Sequence, residues 1–99
     1  MVAAMSLPSQ NARRDRNERA LVAEFGARGA TCYRISQAGL PDLLVGYRRR
    51  WGLVEIKSAR GKLGPLQVLF HTAAAAQGLH CTVVRNGADV ERVLAEWGK

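Results

Sequence analysis

Two short runs rich in β-branched and aliphatic residues, Leu43 to Tyr47 and Leu53 to Ile56, are joined by Arg48-Arg49-Arg50-Trp51-Gly52. Runs of this length and spacing predict two antiparallel strands with a hairpin connection between them. The first strand is entered through Leu40-Pro41-Asp42 and the second ends in Glu55-Ile56-Lys57. Side chains alternate across a strand, so Glu55 and Lys57 project to one side while Ile56 joins Val54 in the core. A register with Asp42 opposite Glu55 centres the turn between Arg48 and Arg49, where Gly46 and Gly52 permit a tight or irregular loop.

The flanking segments supply what must cover this hairpin. From about Asn11 to Arg28 the residues Glu18, Leu21, Val22 and Phe25 recur at helical spacing on one face, and Gly26 and Gly29 close the segment. Thr31 to Ile35 reads as a short strand followed by the loop Ser36 to Gly39. Pro65 opens a second helix whose predicted apolar face is Leu66, Leu69, Phe70, Ala73 and Ala74, and Gly78 stops it. His80 to Val84 is a fourth strand, and Asp89 to Trp97 is a last helix with Val90, Val93, Leu94 and Trp97 inward. The order is αβββαβα. A crossover through the second helix brings the fourth strand in parallel to a neighbour, which gives an α/β fold with one small mixed sheet flanked by helices.

With 99 residues the chain supports one core, so residues 1–10, which contain Pro8 and no periodicity, are read as a flexible segment and 11–99 as a single domain. The hydrophobic share of 47% and charged share of 23% are those of an ordinary soluble globular chain. No apolar stretch reaches membrane-spanning length and the N-terminal run lacks the features of a signal peptide, so the expectation is a cytoplasmic protein. Cys32 and Cys81 are too few for a disulfide scaffold and too far apart for a Cys-x-x-Cys knuckle, and read as buried strand thiols. A net charge of +7 points to a polyanionic partner, with nucleic acid the first candidate. The basic residues cluster as Arg13, Arg14, Arg16 and Arg19, as Arg48, Arg49 and Arg50, and as Arg60 and Lys62.

Two carboxylates at adjacent strand positions repel unless a cation lies between them, and hard oxygen ligands at this spacing suit Mg²⁺ or Mn²⁺. Glu18 falls within the arc of Leu21, Val22 and Phe25 and so faces the sheet, although Asp15-Arg16-Asn17-Glu18 also matches a capping box. Asp42 has a plain alternative as a turn residue after Pro41. Glu55 and Lys57 have one as a solvent-facing pair on an amphipathic strand, and Gln67 as an exposed residue of a first helical turn.

Together these residues resemble the PD-(D/E)XK nucleases, and within them the small stand-alone VRR-NUC domains found in phages, which are similar to archaeal Holliday-junction resolvases. The resemblance runs from about Arg16 to Val93 through Asn17-Glu18-Arg19-Ala20-Leu21-Val22, Gly39-Leu40-Pro41-Asp42-Leu43-Leu44-Val45, Leu53-Val54-Glu55-Ile56-Lys57 and Pro65-Leu66-Gln67. It implies a restriction-endonuclease-like fold, metal-holding roles for Glu18, Asp42 and Glu55, and the remaining matched positions for Lys57 and Gln67. The Ile35 to Gly39 loop is shorter than the glycine- and serine-rich loop of many members.

Phosphodiester hydrolysis needs a hydroxide at neutral pH and stabilisation of added negative charge, both of which a divalent cation supplies. Asp42, Glu55 and the carbonyl of Ile56 are the expected ligands, with Glu18 completing the shell. Lys57 is expected to orient the attacking water or neutralise developing charge, and Gln67 to fix phosphate or water at a helix N-terminus. The arginine clusters, with Arg60 and Lys62 nearest the cut, are the expected phosphate contacts. The resemblance also implies a symmetric homodimer cutting branched DNA, for which the last helix and the strand with Tyr33 and Ile35 offer apolar surface that the monomer's own core could equally fill. A flap or nicking nuclease of the same fold, a non-catalytic nucleic-acid-binding module and a protein-interaction domain with a solvated basic face are the competing readings.

Overall fold

In the computed structural model, which describes residues 16–99, the chain runs α1 (Glu18–Ala27), β1 (Thr31–Arg34), β2 (Leu43–Tyr47), β3 (Arg50–Ile56), α2 (Pro65–Ala76), β4 (Thr82–Val84) and α3 (Gly87–Trp97). The strands form one mixed sheet in the order β1-β2-β3-β4. β1 and β3 both pair antiparallel with β2, and β4 pairs parallel with β3 after the crossover through α2. This is the predicted αβββαβα order and sheet. The expected flexible segment 1–10, and the helical reading of 11–15, lie outside the described residues.

One face of the sheet is the hydrophobic core. Leu43 and Val45 of β2, Val54 and Ile56 of β3 and Val84 of β4 pack against Leu21 and Phe25 of α1 and Val90, Val93, Leu94 and Trp97 of α3. The odd–even alternation of β3 separates Gly52, Val54 and Ile56 on this face from Trp51, Leu53 and Glu55 on the other. Gly52 is required there, because a Cβ would come within 2.6 Å of the Trp97 ring, and Gly46 leaves comparable room for Trp51 on the opposite face. Both glycines therefore lie within strands rather than loosening the connection. The hairpin turn is only Arg48-Arg49, both left-handed at φ 50° and 72°, so β3 begins at Arg50 instead of Leu53. A two-residue turn of this hand matches the twist of the strands it joins.

Other boundaries shift for local reasons. α1 begins at Glu18 with Asn17 as N-cap, which makes Glu18 the first helical residue and removes it from the third position that a capping box requires. β1 stops at Arg34, although Ile35 N–H still donates to Asp42 O at 2.8 Å. β4 starts at Thr82 rather than His80. α3 starts two residues before Asp89 because the Asn86 side chain caps it, accepting from Asp89 N–H at 2.9 Å.

α2 departs most from the sequence reading. Of its predicted inward face only Ala74 is buried, while Leu66 and Leu69 are 60% and 65% exposed. The helix instead turns Gln67, His71 and Ala74 inward, positions related by one helical turn each, and covers the face of the sheet that carries Glu55. Among the described residues no helix is long and apolar enough to cross a membrane.

Candidate active site

Continued by one residue, the β2–β3 register sets Asp42 opposite Glu55, as the hairpin spacing predicts. Asp42 Oδ2 accepts from Ile56 N–H at 2.7 Å, which pins the carboxylate to the end of β3. Glu55 is fully buried, contrary to a solvent-facing strand residue. Its Oε2 accepts from Gln67 Nε2 at 3.0 Å, and His71 Nε2 stands 3.4 Å from its Oε1. Gln67 is itself oriented, since its Oε1 accepts from Gly64 N–H at 2.8 Å across the first turn of α2. Asp42, Glu55, Lys57 and Gln67 thus gather on the α2 side of the sheet, at the C-terminal end of β3.

Glu18 is buried, as its place in the helical arc predicts, but it lies on the core side of the sheet. There its Oε2 accepts from Arg34 Nε at 2.8 Å. The neighbouring Asn17 brings α1 to the same end of the sheet as the other acids, because its Nδ2 donates to both Lys57 O and Arg85 O at 3.0 Å. Asn17 Oδ1 is buried with no hydrogen-bond partner, a state that costs about 1–3 kcal/mol unless something fills it. Arg85 in turn holds the loop after Lys57, donating to Ser58 O at 2.6 Å and Gly61 O at 2.7 Å. That loop presents Arg60 and Lys62 to solvent.

The electrostatics follow from this packing. Burial, with smaller contributions from His80 and Lys57, pushes the His71 imidazole below its ordinary range. Burial raises Cys81, and the Glu55 charge adds to the shift. Cys32, packed against the core, is pushed up to about 11 by burial alone. Both thiols are free, as expected from their number and spacing, but each is only partly buried rather than buried, and Cys81 lies just before β4 because that strand starts at Thr82.

The oxygen-only donors Asp42 and Glu55, and the orphaned Asn17 oxygen nearby, fit a hard divalent cation in kind. Among the described residues no three His, Cys, Asp or Glu side chains converge as a ready-made metal cluster, and Glu18 is paired with Arg34. A cleft of about 350 Å³ opens beside Asp42 and Gln67, between the loop carrying Ile35, Gly39 and Leu40 and the start of α2 at Pro65.

The other predicted contacts are dispersed. Arg48, Arg49 and Arg50 sit at the far end of the hairpin, some six residues or ~20 Å of strand from Asp42. The Arg48 and Arg50 guanidiniums lie 5.2 and 5.4 Å from the Tyr47 and Trp97 ring centroids. Arg16 is exposed just before α1, whereas Arg13 and Arg14 lie outside the described residues. Asn17, Arg34, His71 and Arg85 escaped the sequence reading. His71 alone carried a usable signal, its place one helical turn beyond Gln67.

No family model and no curated protein matches this sequence. Among solved structures, one described as a VRR_NUC domain is similar over 83% of this chain and 94% of its own, with a TM-score of 0.68 and 25% identity. With strand order, hairpin register and the Asp42–Glu55 pairing already in place, that likeness identifies this chain as having the VRR-NUC, restriction-endonuclease-like fold.

Proposed function

We propose that the protein is a metal-dependent DNA endonuclease that hydrolyses phosphodiester bonds in branched DNA, in the manner of a Holliday-junction resolvase. The observation that carries this reading is Asp42 facing Glu55 across paired strands, with Lys57 two residues on, in a fold shared with a VRR_NUC domain. A nuclease of this fold ordinarily works with a divalent metal, and Asp42, Glu55 and the Ile56 carbonyl would hold Mg²⁺ or Mn²⁺ here, with Glu18 joining them only on leaving Arg34. The bound cation supplies Lewis acidity, stabilising added charge on the phosphate and lowering the pKa of water.

The chain's own groups do the rest. Lys57 neutralises charge developing on the scissile phosphate and orients the attacking water. Gln67 holds Glu55 through one amide hydrogen and keeps the N-terminus of α2, whose free N–H groups favour anions, directed at the site. Arg60 and Lys62 contact phosphates next to the cut. Arg13, Arg14, Arg16, Arg48, Arg49 and Arg50 contact them farther away. The protein acts in the cytoplasm, as for a phage-encoded enzyme in its host, and as a homodimer, since resolving a junction requires two strands to be cut.

The α3 residues once available for that dimer, Val90, Val93, Leu94 and Trp97, are consumed by the protomer's own core. The exposed Leu66, Val68 and Leu69 of α2 and the stacked Tyr33–Trp51 pair, with ring centroids 6.2 Å apart, offer the apolar surface instead. Incubation with four-way junction, flap, linear duplex and single-stranded DNA, each with Mg²⁺, Mn²⁺ or EDTA, tests the reading. Paired symmetric cuts in the junction, abolished by EDTA, are expected. Preferred cleavage of flap or nicked substrates would move the protein to the alternative nuclease class, and salt-sensitive binding without cleavage to a binding module.

A further inference from the structure

The Glu55 carboxylate is met by α2 at two points one helical turn apart. Gln67 Nε2 donates to Oε2 at 3.0 Å, and His71 Nε2 lies 3.4 Å from Oε1, at the long end of hydrogen bonding. Only 1% of the Glu55 side chain and 16% of the His71 side chain reach solvent, so water contributes little to holding this carboxylate in place. A glutamate on a strand turns freely about its last bond unless both oxygens are held. Gln67 holds one of them and His71 stands at the other.

We infer that His71 is a positioning residue which, with Gln67, fixes the plane of the Glu55 carboxylate and thereby the geometry that this residue offers to a divalent cation. The inference rests on the proposed function, because it assigns Glu55 a metal. Partners that orient a ligating carboxylate change metal affinity or activity by about 10–100-fold when removed. α2 then has a role that its exposed apolar residues do not suggest. It is the support of a strand-borne ligand, and its polar stripe faces inward for that reason.

The test compares wild type, His71→Ala, His71→Gln and Gln67→Ala by calorimetric titration with Mn²⁺ alone, then by single-turnover cleavage and by DNA binding in EDTA. His71→Ala should bind Mn²⁺ about 10-fold more weakly and lose a similar factor in turnover, with DNA affinity and melting temperature nearly unchanged. His71→Gln, which restores an N–H donor on a helical side chain, should recover most of both losses, and a purely structural role would not produce that recovery. Mn²⁺ affinity and turnover unaltered in His71→Ala would overturn the inference while leaving the nuclease reading intact. A loss confined to DNA affinity would overturn it in favour of a substrate contact. Wild-type protein that binds no Mn²⁺ would overturn the proposed function and this inference together.

Discussion

A carboxylate removed from water costs several kcal/mol unless its surroundings compensate, and Glu55 is fully buried between a strand and a helix that meets it with the Gln67 amide and the His71 imidazole. The proposed metal role of Glu55 needs that charge whereas its packing does not, so its neutral isostere should separate folding from activity. Glu55→Gln is predicted to be at least as stable as wild type, within about 1 kcal/mol or above it in urea unfolding, because the amide can still accept from Gln67 and donate to the other tautomer of His71. Its cleavage rate should fall by about 100-fold or more. A variant that loses several kcal/mol of stability would show that the charge itself holds the fold. At this scale the sequence disclosed the acids but not their partners. Alternation on β3 and the hairpin register are properties of adjacent positions, whereas the pairing of Glu18 with Arg34, and of Asn17 with two strand ends, joins segments that periodicity treats separately.

The elements divide in the same way. The β2–β3 register and the parallel entry of β4 were legible because a one-residue slip would turn Glu55 into the core and Ile56 out of it. The facing of α2 was not, since two stripes share its helical period. The apolar one contains Leu66 and Leu69, and the other runs through Gln67, His71 and Ala74; the buried Glu55 selects the second. The hairpin turn is another conflict between local preference and outcome, with two arginines in a left-handed conformation that glycine and asparagine adopt at lower cost. Replacing the pair by Arg48→Asn and Arg49→Gly should raise stability by about 1 kcal/mol. The same change should lower the slope of log affinity against log salt by about 0.9 for each phosphate contact removed. Urea unfolding and DNA titrations across a salt series measure both effects. An unchanged slope would assign the turn arginines to solvent.

For the whole molecule the asymmetry between the two faces of the sheet matters most. α1 and α3 seal one face with a continuous apolar core, while the other carries the candidate site and, beside it, exposed Leu66, Val68, Leu69, Tyr33 and Trp51. A second copy docked there would bury this surface next to the site, and a stable dimer needs about 800 Å² from each partner. Sedimentation equilibrium at micromolar concentration should find a dimer, and Leu66→Glu with Leu69→Glu should give a folded monomer that nicks DNA without paired cuts. A wild-type monomer, with and without junction DNA, would remove the dimer from the account. The central claim, that the Asp42–Glu55 pair supports metal-dependent strand cleavage, is tested most directly by single-turnover cleavage of one labelled branched substrate across a Mg²⁺ titration, with wild type and Asp42→Ala side by side. Saturable Mg²⁺-dependent cleavage by wild type is expected, with a loss of about 100-fold or more in Asp42→Ala and equal DNA binding by both in EDTA. Equal cleavage by the two proteins, or undiminished cleavage by wild type in EDTA, would contradict it.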